Sequence, residues 1–167
     1  MKDDYVLLFS IALAHIAVSY VVNRLSYRTL SSLRLHMVPS RRETRFYEKV
    51  LHIRSWKDYV PSVGPFDKKD MKGDDAAYIS MFILETVRAE VAHVLCISVT
   101  LLLLLYHRQP YSALIPVFYL AINIPCILIQ RYNRPRLERV LKMHSSRLVI
   151  PEEETGPAGR PALFRRR

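Results

Sequence analysis

The sequence predicts an all-α integral membrane protein: three transmembrane helices plus an amphipathic helix at the cytoplasmic interface. Three observations predict it. Apolar residues gather into blocks of spanning length, positive charge collects in the segments on one side of those blocks, and large apolar residues recur at helical spacing inside the first basic segment. The chain has 167 residues, half of them hydrophobic, and a net charge of +10. A soluble domain of that length mixes apolar and charged residues finely along the chain, whereas here they separate.

The first span is read at residues 5–22 and the third at 111–130; neither block contains Asp, Glu, Lys or Arg. About 20 residues at a rise of 1.5 Å match a hydrocarbon core about 30 Å thick. The second span, at about 87–106, contains the unbroken run Leu101–Leu105 and reaches spanning length only with Glu90 and His93 at its membrane entrance. Charge orients the three. Lys and Arg number 13 between Asn23 and Glu90 and 10 from Arg131 onward, against Arg108 alone between the last two spans and Lys2 alone before the first. The positive-inside rule places the loop 23–86 and the C-terminus in the cytoplasm and the N-terminus outside. The charged start of the first span is net negative and its apolar run is long, which favours a span over a leader; Ala17-Val18-Ser19 keeps cleavage open. Cys96 and Cys126 both fall inside spans and are expected to pack as apolar residues.

Residues 1–150 are read as one membrane-embedded domain. Ser40 and Glu43 are spaced as a capping box. Behind them Phe46, Val50, Ile53 and Trp56 recur along a helix expected to lie on the leaflet, with Trp56 and Tyr59 at headgroup level; packing of this helix on its own domain is the alternative. Residues 61–75 read as loop, with Asp74 or Asp75 capping a helix that runs unbroken into span two. Pro116 and Pro125 predict a kink in span three. Leu137, Val140 and Leu141 predict a separate short helix after it, and residues 151–167 a disordered cytoplasmic tail.

Two polar clusters fall at the cytoplasmic membrane boundary. In the first, Glu85 pairs with Arg88 and Glu90 with His93, each at i,i+3. A histidine beside a carboxylate at the edge of an apolar phase suits a general base, the carboxylate fixing its tautomer; an interfacial ion-pair anchor is the structural alternative. Glu90-x-x-His93 also matches half of a di-iron motif, but no second copy exists and no metal site is expected. The second cluster is Asn123, inside the third span, followed by Gln130-Arg131-Tyr132-Asn133-Arg134-Pro135-Arg136. An amide at that depth is a functional candidate or a helix-packing residue, and arginine forks suit phosphate or carboxylate. A Gly-x-Ser-x-Gly elbow, a P-loop, a dinucleotide glycine pattern and zinc spacing are all absent, and His52 and Asp58 stand one residue too far apart for His-x4-Asp. The basic charge flanks spans, so anionic lipid rather than nucleic acid is its expected partner.

Gln130–Leu137, preceded by Asn123-Ile124-Pro125, resembles the signature of the glycosyl-4,4'-diaponeurosporenoate acyltransferase family of small bacterial membrane enzymes. Ile53–Asp58, Gly64–Lys69 and Glu85–His93 resemble the same family in the same order. The resemblance implies transfer of a fatty acyl group to a sugar hydroxyl of a glycosylated carotenoid, or a similar glycolipid, at the bacterial cell membrane. The partners are then membrane lipid, a lipid-soluble glycosylated acceptor, and acyl-CoA or acyl-carrier protein as co-substrate, with no other cofactor. From residue chemistry, His93 is expected to be the base with Glu90 orienting it, Asn123 or Asn133 to stabilise the oxyanion, and Arg131, Arg134 and Arg136 to hold donor phosphates or an acidic carrier. Glu85, Arg88, Gln130, Tyr132, Trp56 and Lys57 complete the expected binding surface. The rival reading is a non-catalytic membrane scaffold associated with pathway enzymes.

Overall fold

The computed structural model describes residues 2–60, 76–107 and 114–149. These form six helices and no strand: α1 (Lys2–Asn23), α2 (Tyr27–His36), α3 (Arg41–Lys49), α4 (Ile53–Trp56), α5 (Ala76–His107) and α6 (Leu114–Val149). The expected loop 61–75, the turn between the last two spans and the tail 151–167 lie outside the described residues.

The frame is an antiparallel pair, α5 against α6, with α1 packed antiparallel on α5. Two segments, Tyr5–Asn23 and Ala76–Tyr106, are long and apolar enough to cross a membrane. Only 17% and 11% of their apolar windows are buried inside the protein. A soluble core helix would hide that surface; these two helices leave it exposed, as those of a membrane protein do. Phe9, Leu13 and Ile16 on α1, Leu102 and Leu105 on α5, and Leu114, Val117 and Phe118 on α6 are all exposed.

Three regions depart from the sequence expectation, the broken interfacial helix being the third. The first is the basic stretch after α1, which holds a helix that was not foreseen. Ser26 caps α2 by accepting from the Thr29 N–H at 3.2 Å, and Leu30, Leu33 and Met37 then share one face that packs on Leu84 and Val87 of α5. The separate short helix after span three does not exist. Leu137, Val140 and Leu141 belong to α6, which runs through 36 residues with Pro125 and Pro135 inside it. Each proline deprives one carbonyl, that of Ala121 or Arg131, of its i+4 donor, yet packing on α5 carries the helix past both.

The expected interfacial helix is two helices. The Ser40–Glu43 capping box is present and starts α3, while His52 adopts a left-handed conformation (φ 45°) that separates α3 from α4. Tyr47 and Ile53 are buried against Ile129 and Tyr132 of α6, with Trp56 packed alongside. Phe46 and Val50 remain exposed. The segment thus docks on α6 by one face and presents an apolar edge by another.

Candidate active site

The two polar clusters meet at the α5–α6 interface, but they interlock differently from the pairing read along the sequence. Glu90, 2% exposed, does not orient His93. Its two oxygens are taken by arginines of α6: Arg131 Nη1 donates to Oε1 and Arg134 Nη2 to Oε2, both at 2.6 Å. Helix geometry explains the correction. Glu90 and His93 are adjacent on one helix, but α6 brings two guanidinium groups to the carboxylate, and charge-assisted bonds in a buried setting outcompete a neutral imidazole.

Arg134 is fully buried. Its Nε donates to Thr86 Oγ1 at 3.1 Å, Nη2 also to the Thr86 carbonyl at 3.1 Å, and Nη1 to the Met37 carbonyl at 2.7 Å. Four of its five N–H groups are therefore used by the protein, and donor phosphate cannot reach it in this conformation; the expected binding role is replaced by that of a brace tying α2, α5 and α6 together. Arg131 is partly exposed and donates from Nε to Glu43 Oε1 at 2.5 Å and to the Tyr47 hydroxyl at 3.3 Å. Tyr47 in turn donates to Glu43. Two arginines and two glutamates thus form a net-neutral chain from α3 through α6 to α5. The Arg131 guanidinium holds the Glu43 carboxyl below the usual carboxylate range. Burial, reinforced by Glu43 beside it, pushes the Tyr47 phenol up to about 12.

One turn further along α5 lies a histidine–asparagine pair. His93 Nδ1 stands 2.8 Å from Asn123 Oδ1, and Asn123 Nδ2 donates to the Tyr119 carbonyl at 2.8 Å. That second bond fixes which end of the amide faces the imidazole. An amide oxygen only accepts, so Nδ1 carries the proton, and in the neutral ring Nε2 holds the lone pair. No described residue hydrogen-bonds Nε2, and His93 is half-buried. Asn123, 6% exposed, thus holds the imidazole contact that the sequence reading gave to Glu90, with one of its two amide N–H groups bonded to Tyr119.

The remaining candidates divide by face. Gln130 is half-buried on the α6 stripe shared by Asn123 and Arg134 (i+7 and i+11 from Asn123). Asn133 is half-buried beside that stripe. Tyr132, on the opposite face, is packed with Ile53 and Ile129, and its ring lies 4.1 Å under the Arg136 guanidinium, which also donates to Glu48 at 3.2 Å. Trp56 donates to the Leu51 carbonyl at 2.9 Å on this same far side, and Lys57 lies 2.7 Å from Asp58; neither joins His93. Glu85 and Arg88 pair as expected, at 3.1 Å, but Arg88 Nη1 reaches the carbonyls of Val22 and Asn23 at 3.0 Å each. It closes the C-terminus of α1, where carbonyls lack helical partners and a cation is favoured. Thr86, Glu43 and Tyr47 were missed as site residues, although Glu43 had been recognised as a cap.

The chain is thus an all-helical membrane protein whose long helices carry a buried ionic brace and a histidine bonded to an amide. The chain belongs to the glycosyl-4,4'-diaponeurosporenoate acyltransferase family: the family model matches residues 26–143. Relatives bearing that name from Staphylococcus aureus strains USA300 and NCTC 8325 are each 31% identical over 106 residues, and that of strain N315 is 30% identical over 105. The match covers 59% of this chain and spans 62% of the relatives' length. No solved structure matches the chain.

Proposed function

We propose that the chain is a membrane acyltransferase that moves a fatty acyl group from a thioester donor to a sugar hydroxyl of a glycosylated carotenoid or similar glycolipid. One observation carries this: the His93–Asn123 pair, whose geometry leaves Nε2 as a lone-pair base at the membrane boundary. The acceptor, held by its lipid tail, presents its hydroxyl from the bilayer. His93 Nε2 takes the hydroxyl proton as the oxygen attacks the thioester carbonyl. The imidazolium that forms keeps its Nδ1–H bond to Asn123. Collapse of the tetrahedral intermediate breaks the C–S bond, and the leaving sulfur takes the proton back from Nε2, giving ester and free thiol. Gln130 or Asn133 supplies an amide N–H to the developing oxyanion. The partly exposed Arg136 meets the anionic portion of acyl-CoA or of an acyl-carrier protein.

Large apolar residues are exposed on α6, as they are on α1 and α5. This supports a third crossing at 111–130, with loop 23–86 and the C-terminus cytoplasmic and the N-terminus outside. A cysteine placed at Ser55 should then be shielded from an impermeant thiol reagent in intact cells while one at Gln109 labels; equal labelling overturns the orientation.

The activity is tested with purified protein in nanodiscs, a glycosylated carotenoid and an acyl thioester, by comparing His93→Gln with wild type. A general base contributes about 100- to 10,000-fold, so the variant should insert normally and lose turnover on that order. Near-normal turnover would remove His93 from the chemistry. Absence of transfer by the wild type with either donor class would favour the scaffold.

A further inference from the structure

The two faces of the His93–Asn123 pair stand on different helices, so the pair depends on the register of α5 against α6. One turn further into the apolar layer a third helix bears on that register. His15, a half-buried imidazole on α1, places Nε2 3.2 Å from the Cys96 carbonyl and 2.9 Å from Thr100 Oγ1, both on α5. The same ring meets Tyr119 of α6 edge to face, with centroids 4.8 Å apart. Cys96 follows His93 by one turn of α5, and Tyr119 precedes Asn123 by one turn of α6. Tyr119 is also the residue whose carbonyl holds the Asn123 amide. An unbroken path of contacts therefore runs from His15 through Tyr119 and Asn123 to His93. Thr100 is 1% exposed, so the bond to it lies inside the protein, where an unmade bond is costly.

We propose that His15 is a positioning residue that ties α5 to α6 from α1 and so sets the geometry of the His93–Asn123 pair. This rests on the acyltransferase reading for its catalytic consequence and on the contacts alone for its structural one. α1 lies ahead of the family match, which begins at residue 26. The Arg88 contacts to Val22 and Asn23 hold the cytoplasmic end of α1, leaving His15 to hold its middle.

The test reads His93 directly. In protein carrying ¹⁵N-histidine, the His93 signal is assigned by its loss in His93→Gln, and its shifts report which ring nitrogen bears the proton. Wild type should show Nδ1–H. His15→Leu should convert that signal to a mixture of tautomers and lower kcat about 100-fold, the scale of a misplacement of about 1 Å, with acceptor KM within twofold. His15→Gln, which can still donate to the Cys96 carbonyl, should recover most of both. Ile16→Ala, on the exposed side of α1, should match wild type. An unchanged His93 signal and kcat in His15→Leu overturns the proposal, as does a glutamine variant no better than leucine. Where His15→Leu does not accumulate, Thr100→Val removes the other side of the bond and must shift the same signal. A wild type that shows the Nδ1–H signal, and a response to His15→Leu, without any acyl transfer would sink the acyltransferase reading while upholding the positioning role.

Discussion

The α5–α6 interface contains two polar sites one turn apart, and they are built on opposite logic. Around Glu90 every strong group is answered. Both carboxylate oxygens are taken, four donors of Arg134 are used, and Arg131 is shared between Glu90 and Glu43. Around His93 one ring nitrogen is fixed and the other has no partner among the described residues. A closed network holds helices in register, and a site with one lone pair left over can take a proton. The most charged cluster of a membrane protein can thus serve as frame alone. Charge at an apolar boundary must be neutralised where it stands, and neutralised charge is poorly placed to act on a substrate.

That contrast breaks first at Arg134. Arg134→Met would leave Glu90 with one guanidinium in a site 2% exposed, and uncompensated buried charge costs about 3–5 kcal/mol. The variant should unfold at markedly lower denaturant or fail to accumulate. Glu90→Gln with Arg134→Met, which removes both charges, should recover part of the loss. Wild-type stability in the single variant would show that Glu90 is not held as described. The next effect belongs to the neutral site. Asn123→Leu removes the acceptor that fixes His93 and should lower turnover by about 10²–10³, inside the general-base range, with stability changed by less than Arg134→Met changes it. The reverse order of stability effects would erase the distinction between the two sites.

How far the sequence discloses this arrangement depends on the distance a signal must travel. Local signals are readable. The Ser40–Glu43 capping box, the unbroken run of α5 into the membrane and the Glu85–Arg88 pair are all present as expected, because each is set within a few residues. Partners across helices are not readable. Glu90 finds Arg131 and Arg134 across more than 40 residues, and Glu43 finds Arg131 across 88. Read alone, Glu90-x-x-His93 offers a pairing that the neighbouring helix overrules. Asn123 was visible as an amide deep in an apolar span, either functional or helix-packing, though not as the partner of His93. His15 carried the same signal, a lone ionisable residue inside an apolar span, and only the α1–α5 contact gives it meaning. Helix α2 was not legible because its short apolar stripe, Leu30-Leu33-Met37, is interrupted by basic residues and completed only by α5.

The outer end of the charged chain sharpens the comparison through pH. Glu43 titrates below the usual range when folded, because Arg131 donates to it. The ion pair therefore stabilises the docking of α3 above the unfolded value of about 4.3 and loses that contribution as pH falls through the lower folded value. Glu43→Gln should be less stable than wild type at pH 7, by about 1 kcal/mol for a partly exposed pair, and the gap should close on acidification. Tyr47 runs the other way. Its folded value near 12 exceeds the unfolded value of about 10, so its contribution is complete below pH 10 and is lost between about pH 10 and 12. The phenolate absorbance that wild type shows and Tyr47→Phe lacks should appear only above pH 11. A Tyr47 that ionises near pH 10 would mean that α3 is not docked on α6.

The smallest stability effect, and the one that separates a binding arginine from a bracing one, is expected at Arg136. It shares the signature run with Arg134 but not its surroundings. Its side chain is 39% exposed, its partner Glu48 is 44% exposed, and its guanidinium rests on the Tyr132 ring. An exposed pair of this kind contributes about 0–1 kcal/mol, so Arg136→Met should unfold almost as wild type does. An anionic donor group can displace Glu48 from such a guanidinium without uncovering a buried charge, which it cannot do at Arg134. Arg136→Met should therefore raise the apparent KM for the acyl donor, with acceptor KM and kcat little changed. Arg136→Lys, which keeps charge but loses the planar fork and its stacking on Tyr132, should fall between the two. The informative measurement is donor KM against ionic strength. Wild type should lose donor affinity as salt rises, and the methionine variant should show a flatter dependence. If both variants bind donor as wild type does at every salt concentration, the donor's charge is met elsewhere, and Arg136 joins Arg134 as part of the frame.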